Sequence, residues 1–258
     1  MHNITAERVA AVRTWLETNN LDAVIIPHED EYLGEYVPAH NERLHWLTGF
    51  TGSAGAAVIT RETAAIFVDG RYTVQVRKQV PAELFEYRHL IEEPALDWII
   101  NSLPQGSKVA FDPRMHTAAW LKGAQAKLAE KVELTTLSAN PIDALWSDRP
   151  EPVVSDVRLM ATDAVGQSSE SKRAEIAGLL KAKGADAAIL TELDSICWLL
   201  NIRGLDVSRL PVVLSNAIIH ADESVDFFLD PARIPAGFEA HVGNGIRVSH
   251  PSELEARL

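Results

Sequence analysis

Apolar positions along the chain switch between two periods. Val9, Val12 and Leu16 fall three and four apart, which predicts a helix over residues 6–19 with one buried face. Ala-Val-Ile-Ile-Pro at 23–27 is a continuous apolar run and predicts a strand buried on both faces. Two further runs, 56–60 and 64–68, flank the polar turn Arg61-Glu62-Thr63 and predict a strand pair. Helices are expected at 71–80, 95–103 and 117–130, and strands at 108–111 and 132–137. Pro94 after Glu92-Glu93 marks one of the helix starts. Such alternation predicts an α/β layer fold.

Residues 140–156 hold three prolines and little periodicity, which reads as a linker. The expected division is a first domain over 1–139, a linker over 140–165 and a second domain over 166–258. A helix over 169–183 is expected to end at Gly184, a strand over 187–190 follows, and Thr191-Glu-Leu-Asp194 fits a capping box ahead of the next helix.

The two halves resemble each other. Leu21-Asp-Ala-Val-Ile-Ile26 matches Ala185-Asp-Ala-Ala-Ile-Leu190, and each leads to a Trp-Leu pair, at Trp46 and Trp198. The strand pair ending at Asp69 matches a second one ending at Asp230. Asp22 to Trp46 spans 24 positions and Asp186 to Trp198 only 12, so the first copy carries an insertion near 29–41. Long insertions between regular elements are often functional. After Asp69 the first copy continues for 68 residues to Leu137, whereas 28 follow Asp230. The second copy is therefore expected to lack its final helix–strand pair, and the chain to be a fragment of a longer protein.

Composition narrows the reading further. The 258 residues are 47% hydrophobic, enough to bury a core, and the formal net charge of −12 argues against a nucleic-acid partner. The single cysteine, Cys197, excludes an intrachain disulfide and favours a reducing compartment; its apolar surroundings predict a buried, inert thiol. No apolar run approaches the roughly 18 residues that span a bilayer.

Three candidate sites stand out. Gly49, Gly52 and Gly55 surround Ser53, but a phosphate cradle or nucleophile elbow needs a strand before the glycines and a helix after them, and here the order is reversed. The glycines are expected to allow positive φ and close backbone approach. His40 and His45 are five apart, about 140° around a helix, and cannot form a helical zinc pair. No other cluster suggests a metal. Glu35-Tyr36 in the insertion and Arg71-Tyr72 after a strand are the remaining candidates. Glu35 could hold an amine and Arg71 a carboxylate or carbonyl; a surface ion pair beside a turn glycine is the other reading.

Glu35-Tyr-Val-Pro-Ala, Thr48-Gly-Phe-Thr-Gly-Ser-Ala-Gly55, Asp69-Gly-Arg-Tyr72, Trp146-Ser-Asp-Arg-Pro150, and Trp198-Leu-Leu-Asn-Ile-Arg-Gly204 with Asp206 follow in order along the chain. Together they resemble the N-terminal half of the three-domain Xaa-Pro aminopeptidases of the creatinase and prolidase superfamily. Leu205 and Ser147 depart from the usual pattern. The resemblance implies two creatinase-N-terminal-like domains, each a mixed sheet flanked by helices. It places a catalytic domain with two divalent metals, usually manganese, beyond residue 258. It implies no catalytic or metal residue within these 258 positions, and an inactive fragment. Glu35, Tyr36, Arg71 and Tyr72 would face the substrate cleft. Peptides with proline at the second position, the protein's own catalytic domain and a second copy in a homodimer are the implied partners, in the cytoplasm. A non-catalytic peptide-binding or assembly module, as in histone-chaperone relatives, is the alternative.

Overall fold

The computed structural model describes residues 2–258. They form two compact units, Met1–Glu151 and Pro152–Leu258.

The first unit runs α1 (His2–Thr18), β1 (Ala23–Pro27), α2 (Arg43–Thr48), β2 (Gly55–Thr60), β3 (Ala64–Val68), α3 (Thr73–Gln79), β4 (Glu86–His89), α4 (Ala95–Ser102), β5 (Ser107–Phe111), α5 (Ala118–Leu128), β6 (Val132–Thr136) and α6 (Pro141–Leu145). Its six-stranded sheet has the order β4-β3-β2-β1-β5-β6. Only β2 runs against the others: it is antiparallel to β1 and β3, while β1/β5, β5/β6 and β3/β4 are parallel. The C-terminal ends of five strands therefore share one edge of the sheet, and the 28–41 insertion and the 69–72 turn both leave from that edge.

Both faces of this sheet are covered, which is why its central strands are apolar throughout. Val24 and Ile26 of β1 join Val9, Val12 and Leu16 of α1 in one cluster. Ala23 and Ile25, pointing the other way, pack with Trp98, Ile99 and Phe111 in a second. The predicted helical face of α1 is the buried one.

The second unit runs β7 (Arg158–Leu159), α7 (Thr162–Val165), α8 (Ser169–Lys183), β8 (Ala187–Leu190), α9 (Leu193–Leu200), β9 (Ile202–Arg203), β10 (Asn216–His220), β11 (Val225–Phe228), α10 (Phe238–Val242), β12 (Ile246–Ser249) and α11 (Leu254–Arg257). Its main sheet has the order β12-β11-β10-β8. Strand β10 is antiparallel to both neighbours, and β11/β12 is parallel. This is the arrangement of β4-β3-β2-β1, so the internal repeat seen in the sequence is a repeat of topology.

Four local expectations need correction. Glu86–His89 forms a strand that the apolar pattern does not predict: its side chains are polar and it lies at the sheet edge, so no apolar alternation marks it. Its counterpart is β12. With both included, the second unit lacks counterparts of two strands, β5 and β6, among the described residues, rather than one helix–strand pair. The proposed linker 140–165 is not structureless. Asn140 caps α6, its side chain accepting from Ile142 N, and Ile142 is fully buried in the first unit. The boundary falls between Glu151 and Pro152. Finally, no side-chain cap starts α9; the Asp194 carboxylate instead accepts from Ser195 N. Gly184, by contrast, ends α8 at φ 66° as expected.

Candidate functional site

The three-glycine loop builds the floor of the candidate site. Gly49 caps α2 at φ 81°, where its N–H reaches His45 O. Gly52 needs to be glycine for a different reason. A Cβ there would lie 2.3 Å from Phe50 Cζ and 2.9 Å from Tyr72 Cδ1. The Phe50 and Tyr72 rings meet edge to face at 5.5 Å over that backbone.

This packing aims the Tyr72 hydroxyl at Ser53 Oγ, 2.9 Å away, and Ser53 Oγ donates to Glu35 Oε1 at 3.3 Å. Three separate segments thus meet at one hydroxyl. The Glu35 backbone is held from behind, its carbonyl 3.1 Å from His28 Nε2. Arg71 does not pair with Glu35. Its Nε and Nη2 form a fork onto Asp69, at 3.1 and 2.7 Å to Oδ2, and its N–H also bonds Asp69 Oδ1. The guanidinium lies over the Tyr72 ring, 5.1 Å from its centre. The Arg71 hydrogen bond holds the Asp69 carboxyl below the usual carboxylate range. Arg71 Nη1 has no hydrogen-bond partner among the described residues. Tyr36 is exposed, and its hydroxyl likewise has none.

Glu35, Arg71 and Tyr72 therefore lie at one sheet edge, with Glu35 and Tyr72 joined through Ser53 and Arg71 bound to Asp69. Ser53 and Asp69 were not singled out as site residues. Ser53 sits in a loop whose glycines dominate its sequence signal, and its role depends on segments 18 and 19 positions away.

The insertion that carries Glu35 is braced by a buried guanidinium. Arg43, 2% exposed, donates to Glu31 at 2.8 Å and to Asp143 at 2.6 Å. Burial works against the Arg43 charge, but the bonds to Asp143 and Glu31 outweigh it and hold the proton more tightly than usual. Asp143 is also desolvated, yet Arg43 keeps its carboxyl below the ordinary value. Arg149 adds a contact to Asp143 at 3.1 Å and donates to His40 O and Asn41 Oδ1. Trp146 stacks on Trp46 at 5.8 Å. The Trp146–Pro150 motif is thus a brace for the insertion.

The motif around Trp198 is a brace for the second unit. A Cβ at Gly204 would lie 2.3 Å from Val213 Cγ1. The buried Asp206 accepts from Ser155 N, Ser155 Oγ, Leu214 N and Arg233. Cys197 is buried, and desolvation pushes its thiol up, away from the reactive thiolate.

Among the described residues no group of three His, Cys, Asp or Glu side chains could hold a metal ion. His40 Nδ1 bonds Pro150 O, and His45 Nδ1 bonds Glu42. The described residues do not supply ligands for a dinuclear centre. No helix among the described residues is long and apolar enough to cross a membrane.

Two creatinase/prolidase N-terminal domain families match this chain, one over residues 8–145 and the other over residues 148–258. Xaa-Pro aminopeptidase ApepP of Drosophila melanogaster is 34% identical over 234 residues, covering 89% of this chain and 38% of the fly protein. Aminopeptidase P1 of Lotus japonicus is 32% identical over 245 residues, covering 93% and 37%. The X-prolyl aminopeptidase of Caenorhabditis elegans, described as a cytosolic enzyme with a di-nuclear active site, superposes with a TM-score of 0.92 at 25% identity, covering 98% of this chain and 43% of the worm chain. This chain spans about two fifths of the length of these relatives. Two successive family matches, borne on two units of one topology, establish that the chain belongs to the creatinase/prolidase N-terminal domain family.

Proposed function

We propose that the chain is the N-terminal, substrate-gating part of a metal-dependent Xaa-Pro aminopeptidase, and that it is inactive alone. The observation that carries this reading is the convergence of Glu35, Ser53 and Tyr72 beside the Asp69–Arg71 fork, on the sheet edge from which the long insertion leaves. Glu35 holds one carboxylate oxygen through Ser53 and leaves the other to receive the ammonium of a peptide N-terminus. Asp69 fixes Arg71 through Nε and Nη2, so that Nη1 is presented to a peptide carbonyl. Tyr36 and Tyr72 flank the pair as amphipathic walls. In the full protein, two divalent ions, manganese by the resemblance, would supply the hydrolytic chemistry in a C-terminal catalytic domain. A homodimer in the cytoplasm, acting on peptides with proline second, completes the reading. The lone buried cysteine supports that compartment.

The test is Arg71→Ala in the longer natural polypeptide. Loss of one charge-assisted hydrogen bond, about 1.5–3 kcal/mol, lowers kcat/KM for short Xaa-Pro peptides by roughly 10- to 150-fold. An unchanged kcat/KM refutes the assignment.

A further inference from the structure

Where the chain leaves β1 it crosses the sheet one way, to β2, and where it leaves β5 it goes the other way, to β6. The carboxyl ends of these two parallel neighbours form a topological switch point, the place where open α/β sheets leave a crevice for a ligand. A cavity of about 590 Å³ lies there, within the size range of small-molecule pockets. It is lined by Ile25 and Pro27 of β1, by Leu90 and Leu96 around the start of α4, and by Met115 and Trp120 around the start of α5. Ile25 and Trp120 belong to the cluster on the α4–α5 face of the sheet, whereas Tyr72 packs on the other face. The cavity is thus distinct from the Glu35–Ser53–Tyr72 cluster.

One buried polar atom at this apolar lining is left over. Past β5, Asp112 caps a short 3-10 turn, Pro113–Met115, that delivers His116 to the cavity. The imidazole stacks on the Trp120 ring, with centroids 3.8 Å and planes 17° apart, and meets Phe111 edge-on at 5.7 Å. Its Nε2 is buried and has no hydrogen-bond partner among the described residues. An unmade bond at a buried polar atom costs free energy that a bound group recovers. The neighbouring Thr117 hydroxyl is already engaged, accepting from Trp120 N as the cap of α5. Burial lowers the His116 pKa to about 4, against the opposite pull of Asp112, so the ring is neutral near pH 7. A neutral imidazole nitrogen either donates or accepts, according to tautomer, and a hydroxyl group satisfies both.

Two residues of the 28–41 insertion complete the lining. Leu33 is 42% exposed and adopts φ 54°, a left-handed conformation that leucine rarely takes. Its turn is held by Leu33 N donating to Asp30 O at 3.1 Å, and by the buried Asp30 carboxylate accepting from Tyr32 N and Asn41 Nδ2. Backbone strain is thus spent on keeping an exposed leucine at the cavity. Glu29 is the one charged residue of the lining among the described residues. Its carboxylate repels an anion, and being only partly buried it offsets little of the desolvation of a cation.

We propose that this cavity binds an uncharged, largely apolar small molecule that carries an aromatic ring and one hydroxyl group. The hydroxyl bonds His116 Nε2, the ring packs among Ile25, Leu96 and Met115, and Leu33 covers the remaining side. The Met115 thioether and the Trp120 ring favour an aromatic occupant over an aliphatic one. The inference makes no use of the peptidase reading and stands or falls apart from it.

The probe is 2-naphthol, a bicyclic phenol, titrated calorimetrically into the full natural polypeptide. Beside it stand 2-methylnaphthalene, which keeps the shape and lacks the hydroxyl, and 2-naphthoate, which is anionic. The phenol is expected to bind at one site, more tightly than either of the others. His116→Phe keeps a ring against Trp120 and removes the nitrogen; it is expected to weaken 2-naphthol by about 2- to 13-fold while 2-methylnaphthalene binds as before. Leu33→Gly relieves the left-handed backbone and removes the apolar cover; it is expected to weaken both neutral probes without lowering the thermal midpoint. In the unaltered protein the nitrogen resonance of His116 Nε2 is expected to shift with 2-naphthol and not with 2-methylnaphthalene, a readout independent of how the variants fold. Absence of saturable 2-naphthol binding, the result if another polypeptide segment fills the cavity, overturns the proposal. So does an equal loss of both neutral probes in His116→Phe, an unmoved His116 resonance, or 2-naphthoate as the tightest ligand.

Discussion

Arg43 is the point where the candidate site depends most on a single buried charge, and Arg43→Met isolates that dependence. Methionine keeps much of the side-chain volume and removes the guanidinium. It leaves Glu31 and Asp143 facing an apolar group, with Asp143 retaining only Arg149 at 3.1 Å. Removing one partner of a fully buried ion pair costs about 3–5 kcal/mol. Here the carboxylates are 27% and 26% exposed, so water recovers part of the loss. The first unit should lose about 2–4 kcal/mol, which at a urea m-value near 2 kcal/mol/M lowers its midpoint by about 1–2 M. Tryptophan fluorescence separates the units. Trp15, Trp46, Trp98, Trp120 and Trp146 lie in the first and Trp198 in the second, so a Trp198→Phe background reports the first alone. Combining Arg43→Met with Asp143→Asn should cost less than the sum of the two, since the second change removes the charge that the first leaves unpaired. The pH dependence follows the same contact. Asp143 titrates below its unfolded value in the native chain, so its contribution is present above the ordinary Asp pKa and is lost as pH falls through the folded value. Arg43→Met should flatten that acid-side loss. A midpoint within 0.3 M of the parent, where roughly 1–2 M is expected, would refute the brace, as would strict additivity of the pair.

Two further substitutions probe the remaining architecture. Gly52→Ala forces a methyl group into Phe50 and Tyr72 and should cost about 1–3 kcal/mol in the first unit, read by the same fluorescence melt; a neutral result would mean the edge-to-face pair is not fixed there. Asp206→Ala strips Arg233 of its carboxylate partner in a site where both are almost wholly buried, and should cost the second unit about 3–5 kcal/mol. Retained Trp198 melting behaviour in that variant would show the Asp206 network to be dispensable.

The elements of this fold are legible in the chain because burial writes itself locally. A strand covered on both faces must be apolar throughout, as 23–27 and 64–68 are, and a helix on a sheet must repeat near 3.6, as Val9, Val12 and Leu16 do. The repeat is legible for the same reason, since two units of one topology impose the same pattern twice. Glu86–His89 escaped notice because an edge strand with polar side chains carries no such pattern. The helix at 141–145 is hidden within the linker pattern because Pro141, read as a break, sits in the first turn of a helix that Asn140 caps.

Pairing of side chains is another matter. The sequence placed Glu35, Tyr36, Arg71 and Tyr72 in two motifs, but their partners depend on where the backbone carries them. Arg71 turned to the carboxylate two residues away, and Glu35 and Tyr72 met through Ser53 instead. Asp22 and Asp186 carry the same sequence signal, yet among the described residues Asp22 meets a strand backbone, at Lys108 N, and Asp186 does not. Local periodicity records which side chains leave water, because each such residue answers to its own solvation. Which groups then touch is fixed by the geometry of several segments at once, and no single stretch of the chain contains that information.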